Sequence, residues 1–220
     1  MLSSADESPG RFGKALSCMS ELLELYKRIA SCPDCDLCHN RTHAAPGEGP
    51  EDAEIMFIGE GPGFYEDQQA RPFVGPAGRL LEELLASIGL RRNQVYITNI
   101  VKCRPPNNRD PLPVEVEACR KYLQRQIELI KPKLIVTLGR YSLVWFFPKE
   151  PISKLHGQLK AKDGLHILPM YHPAAALHAA NMRQVIEEDF RAIPGALEQA
   201  RRTPLTSPPE VEQAEQLSLF

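Results

Sequence analysis

The chain has 220 residues, 43% of them hydrophobic and 25% charged, with a formal net charge of −2. Such a composition is that of an ordinary globular protein and excludes a fibrous or wholly disordered one; a chain of this length buries roughly 70% of its extended surface as one domain. No apolar run approaches the ~20 residues that cross a bilayer.

The first residues, MLSSADESPGRFGKAL, hold acids where a secretory signal needs an apolar stretch. The expectation is a cytoplasmic protein, and there six cysteines point to metal binding or free thiols rather than disulfides. Residues 1–13 read as a flexible arm. Over 14–30, Leu16, Met19, Leu22, Leu23, Tyr26 and Ile29 recur at helical spacing, so a helix leads into Cys32 and Cys35. The apolar run 54–59 predicts a buried strand that ends in the glycine-rich turn GEGPG. A helix is predicted next over 76–89, with Pro76 at its start and Gly89 at its end.

The pattern then repeats. Strands are predicted at 95–101, 133–139 and 165–171, with helices at 113–131, 140–147 and 181–192. Strands alternating with helices imply a mainly parallel four-stranded sheet covered on both faces, whose ligands bind at the carboxyl ends of its strands. The segments there are 59–67, Asn99 and the residues just after it, Gly139 onward, and His172-Pro173. From 194 the chain turns polar and proline-bearing and reads as a disordered tail, which leaves 14–193 as the folded domain.

Cys32, Cys35, Cys103 and Cys119 have the spacing C-x2-C…C-x15-C, which can present four thiolates to one metal centre. Cys35 to His39 also matches the c-type haem attachment pattern, but that attachment needs an exported chain. Cys32, Cys35 and Cys38 open a ferredoxin run whose x3-C-P continuation is missing. Zinc and iron–sulfur both suit four thiolates, and the residues leave the two open. Between Arg91 and Lys162 there are 15 Lys and Arg against five acids, an excess of +10 suited to a phosphate backbone.

Four segments, GEGPGFYED (59–67), RPFVGPAGRLL (71–81), YITNIVKCRPPNNRDPLPVEVEAC (96–119) and PMYHPAAAL (169–177), together resemble the family 4, iron–sulfur uracil-DNA glycosylases. The likeness runs from about Cys32 to Phe190. It implies a three-layer α/β/α sandwich and a [4Fe–4S] cluster on Cys32, Cys35, Cys103 and Cys119, with Cys38 and Cys18 as bystander thiols, although Cys38 could compete as a ligand. By the same resemblance Phe73 stacks on uracil, Asn99 reads its N3 and O4 edge, and His172 donates to O2. Glu60 and Glu66 are the carboxylates that could activate water. The superfamily's better-known members have an aspartate where this chain has Gly61, and the backbone of Gly61 and Gly63 can hold a phosphate or base carbonyl.

DNA contacts are expected from Lys102, Arg104 and Arg109, in the loop that the cluster would order, with Leu177 as a wedge into the duplex. The family usually shows a basic residue where this chain has His156. A KRRIH-like loop that forms a covalent adduct in a related branch is absent, so turnover is expected. The last residues, Gln216, Leu217, Ser218, Leu219 and Phe220, resemble the pentapeptide that binds the bacterial sliding clamp. The implied protein is a monomeric, monofunctional uracil-DNA glycosylase of the cytoplasm and nucleoid that starts base excision repair. The second reading is a non-catalytic iron–sulfur DNA-binding protein on the same fold. A third is a zinc-stapled nuclease or ligand-binding α/β domain.

Overall fold

The structure, a computed structural model, describes residues 12–203 and 205. Its strands are β1 (Ile55–Gly59), β2 (Tyr96–Asn99), β3 (Leu134–Leu138), β4 (Lys160–Lys162) and β5 (Leu165–Met170), in the order β2-β1-β3-β5-β4. β2, β1, β3 and β5 run parallel, and β4 pairs antiparallel with β5. Every residue of β1, β2 and β3 is buried, as in a sheet covered on both faces.

The sheet has five strands, not the four predicted. β4 is three residues long, half-exposed and carries Lys160 and Lys162. Short, charged segments are what sheet edges tolerate, so no apolar run announces this one.

The helices are α1 (Phe12–Ala30), α2 (Leu37–Asn40), α3 (Phe64–Gln69), α4 (Pro76–Ser87), α5 (Pro113–Ile130), α6 (Arg140–Phe146), α7 (Ile152–Leu155), α8 (Ala174–His178), α9 (Ala180–Arg191) and α10 (Ile193–Arg202). Alternating strand residues divide the core in two. Met56, Ile58, Tyr96, Ile135 and Ile167 join Leu22 and Leu25 of α1 and Leu123 of α5. Ile55, Phe57, Ile97, Val136 and Leu168 join Leu81 and Leu85 of α4 and Ile186 and Phe190 of α9. Phe57 and Phe190 stack with ring centres 6.0 Å apart. Each such fully buried side chain contributes roughly 1.5–3 kcal/mol. With helices packed on both faces of the sheet, the molecule is a three-layer sandwich.

The predicted domain edge at 193 falls short of the folded unit. Ile193–Arg202 forms α10, with Ile193, Ala196 and Ala200 buried. Pro194 and Gly195 resemble helix breakers, but a proline in the first turn has no intrahelical hydrogen bond to lose. At the other end, Phe12 and Gly13 belong to α1 rather than to an arm. Residues 1–11 and the pentapeptide Gln216–Phe220 lie outside the described residues.

Because four strands run the same way, their carboxyl ends meet at one edge. Gly59, Asn99, Gly139 and His172 all lie there, with Gly59 opposite Asn99 in register and the Gly139 N–H donating to the Met170 carbonyl at 2.8 Å.

Candidate active site and cysteine cavity

Asn99 ends β2 with only 1% of its surface exposed, and its Oδ1 has no hydrogen-bond partner among the described residues. A buried carbonyl oxygen left unpaired costs about 1–3 kcal/mol, so this one awaits a donor. The space in front of it is kept open by Gly59. A Cβ there would stand 2.4 Å from Asn99 Oδ1 and 2.6 Å from Phe73 Cζ.

Phe73 forms the next wall. It holds a left-handed φ of 51°, which strains a bulky residue, and the surroundings enforce it. Its carbonyl accepts from Arg92 Nη1 at 2.7 Å, and a Cβ on Gly78 would fall 1.9 Å from that same oxygen. Only glycine fits at 78. Sequence reasoning misses Arg92, because nothing local marks a distant arginine as the clamp of a loop carbonyl.

His172 faces Phe73, with ring centres 5.5 Å apart at 26°. Its Nδ1 accepts the Ala174 N–H at 3.1 Å, which leaves the proton of the neutral ring on Nε2. Burial pushes its pKa down to about 4, against a small opposing pull from Glu66. The ring is therefore a neutral Nε2–H donor at physiological pH.

The two candidate carboxylates differ. Glu66 Oε1 accepts from the Val74 and Gly75 N–H groups at 2.9 and 2.8 Å, tying α3 to the start of α4 and fixing the loop that carries Phe73. Glu60 makes no such bonds among the described residues, and its pKa is raised to about 7, chiefly by burial and then by the charge of Asp110, with Arg140 opposing. A Cβ on Gly61 would stand 2.7 Å from Val101 Cγ2, and one on Gly63 2.9 Å from the second oxygen of Glu66. The neighbouring Asp67, 2% exposed, accepts the Thr42 N–H at 2.9 Å and so joins this segment to the stretch after the first cysteines.

Cys32, Cys35, Cys103 and Cys119 line one cavity together with Cys38, Arg41, Lys102 and Tyr122. All five thiols are free. Burial pushes the Cys119 thiol up to about 11 and raises Cys103, which Arg41 Nη1 partly offsets by donating to its sulfur at 3.0 Å. Among the described residues no three His, Cys, Asp or Glu side chains converge closely enough for a single ion. Four thiols around one cavity are a donor set that suits an iron–sulfur cluster and a zinc ion alike.

Lys102 is the clear correction. The sequence reading puts it at the DNA phosphates, yet it is 1% exposed. Its Nζ donates to Thr98 Oγ1, the Asn99 carbonyl and Gln126 Oε1 at 2.7, 2.6 and 2.7 Å, so all three ammonium protons are held inside. Lying just past the end of a buried strand, the side chain turns inward beside the cavity of thiols. It joins the cysteine cavity to the backbone of Asn99.

The other basic residues lie between Cys103 and Cys119 at the surface. Arg109 forms a two-pronged pair with Glu115 at 2.6 and 2.8 Å, and Glu115, 2% exposed, also accepts the Leu112 N–H at the start of α5. Arg109 thus shapes the loop. Arg104 makes no ion pair among the described residues; its Nε donates to Asn108 Oδ1 at 2.7 Å. Leu177, on α8, is 46% exposed. His156 pairs through Nδ1 with buried Asp189 at 3.0 Å and packs on Tyr171, the residue before His172.

The family model for the "Uracil DNA glycosylase superfamily" matches residues 46–192. A Sulfurisphaera tokodaii protein named "Type-4 uracil-DNA glycosylase" is 50% identical over 186 residues, covering 80% of this chain and 84% of its own. Proteins of the same name from Archaeoglobus fulgidus and Thermotoga maritima are 47% and 46% identical, with 80% and 77% of this chain matched and 92% of each relative. Similarity that spans the sandwich and nearly the full length of these relatives means that the chain belongs to the type-4 uracil-DNA glycosylases.

Proposed function

We propose that the chain hydrolyses the N-glycosidic bond of deoxyuridine in DNA, leaving an abasic site for base excision repair. The observation that carries this reading is the unpaired, buried Oδ1 of Asn99, facing a space bounded by Gly59, Phe73 and His172. Uracil must leave the stack to reach such a pocket. Phe73 then covers its face, Asn99 Oδ1 accepts N3–H, and the Asn99 amide donates to O4. Cytosine offers an acceptor at N3 and a donor at N4, so the same amide mispairs with it.

As the N1–C1′ bond breaks, its electron pair goes to the base and charge gathers on O2. The Nε2–H of neutral His172 stabilises that charge more in the transition state than in the ground state. A water oxygen bonds to C1′ and gives its proton to a carboxylate; the released uracil anion takes a proton from solvent. We assign the carboxylate to Glu60, since Glu66 already bridges Val74 and Gly75. Cys32, Cys35, Cys103 and Cys119 would hold a [4Fe–4S] cluster, which orders the loop between the last two. Arg104 is the phosphate contact best supported, with Leu177 as wedge. The enzyme works as a monomer in the cytoplasm and nucleoid, and Gln216–Phe220 tethers it to the sliding clamp.

The test incubates the purified protein with a uracil-containing oligonucleotide, with thymine and cytosine controls, and cleaves abasic sites with alkali. Asn99→Ala is expected to lose at least about 10²-fold in rate. Uracil release undiminished in that variant would refute the pocket, and no release by iron-loaded wild type would leave a DNA-binding module.

A further inference from the structure

α3 begins with two large aromatic side chains, Phe64 and Tyr65, each 52% exposed. Their rings meet edge to face at 5.6 Å and 81°. They come directly after the Gly59–Gly63 turn, and the Tyr65 ring lies 3.2 Å from where a Cβ of Gly75 would stand. That places Tyr65 against the start of α4, two residues beyond Phe73. Glu66, the next residue of α3, is the one that anchors Val74 and Gly75. The aromatic pair thus sits on a rigid element at the rim of the base pocket.

Arg104 completes the arrangement. Its guanidinium carbon stands 5.2 Å from the centre of the Phe64 ring, and Asn108 fixes its Nε. Among the described residues its two Nη groups have no partner. An arginine laid on an aromatic face, with its outer donors free, suits a base on the ring and the phosphate beside it. Arg109 cannot serve in the same way, because Glu115 occupies it.

Resting on the uracil-glycosylase reading, we propose that Phe64, Tyr65 and Arg104 form a second nucleotide subsite. Its ligand is the unpaired base next to the flipped deoxyuridine, stacked on Phe64 with the perpendicular Tyr65 ring at its edge, and with its phosphate on Arg104. A nucleotide neighbouring the extruded one loses a stacking partner, and these rings replace it. The chain should accordingly hold single-stranded DNA without a complementary strand to order it.

The test uses full-length, iron-loaded protein and a single-stranded oligonucleotide carrying non-cleavable 2′-fluoro-deoxyuridine flanked by 2-aminopurine, on the 5′ side in one probe and the 3′ side in another. Wild type is expected to quench the emission of one probe and to bind it with a Kd about tenfold below that of Phe64→Ala/Tyr65→Ala. Phe64→Leu, which keeps bulk but loses the ring, should also lose the quench. With the ordinary cleavable strand, the loss in the double variant should fall on KM. Equal quenching and equal Kd in wild type and variants would overturn the subsite while leaving uracil release, and its dependence on Asn99, intact. Absence of uracil release in wild type would instead overturn the reading beneath it.

Discussion

Glu60 sits in the glycine-rich turn and has no hydrogen-bonding partner for its side chain among the described residues, yet burial raises its pKa to about 7. A base must be ionised to take a proton from water, so kcat/KM should climb as pH rises through about 7. Glu60→Gln should flatten that limb and lower the rate by about 10²–10⁴-fold. A limb that persists in the variant would assign it to another group. The same shift sets a stability trend. A raised pKa means that the native state holds the proton more tightly, so the stability it confers is present below about 4.5 and is lost as pH rises through about 7. Thermal melts of wild type and Glu60→Gln should agree most closely below about pH 4.5 and diverge in favour of the variant by pH 8.

Among the secondary-structure elements, the pocket depends on how β1 and β2 end beside one another. Gly59 and Asn99 are paired in register, and hydrogen at position 59 is all that separates the backbone from Asn99 Oδ1 and the Phe73 ring. Gly59→Ala should therefore leave the sheet folded but push those groups apart. A displacement near 1 Å costs about 10²-fold in rate. Circular dichroism and uracil release, measured together, check it; a variant with native spectrum and native rate would mean that the base lies elsewhere. α3 has the complementary task, since Glu66 holds the loop 72–75 while Phe64 and Tyr65 face outward.

Across the whole molecule, Lys102 connects two centres. Burial pulls the pKa of its ammonium down to about 7, with Cys119 and Cys103 opposing, and among the described residues no carboxylate pairs with it. A cluster bound by those cysteines as thiolates would supply the missing negative charge. Lys102→Met should lower the iron content of the purified protein, read by chelator absorbance. It should also destabilise the loaded form by about 3–5 kcal/mol, the cost of breaking a buried charge pair. Unchanged iron and unchanged melting would show that the cavity needs no cation.

Local pattern is enough to establish the alternation of strands and helices, the cysteine spacing and the segments that compose the pocket, because each rests on short-range periodicity or on contiguous motifs. Phe73, Asn99 and His172 are legible as motif residues, and the structure brings Phe73 together with both of the others. Partnerships between distant segments emerge only when the chain is folded. β4 is too short and charged to show itself, and α10 hides behind Pro194 and Gly195 until Ile193, Ala196 and Ala200 are seen to be buried. Glu60 and Glu66 are equivalent as letters, and they part only when Val74 and Gly75 fold back onto one of them. Lys102 reads as a surface cation until Thr98, the Asn99 carbonyl and Gln126 close around it. Burial and hydrogen-bond partners are properties of three-dimensional neighbours, and only they distinguish among the residues that local pattern selects.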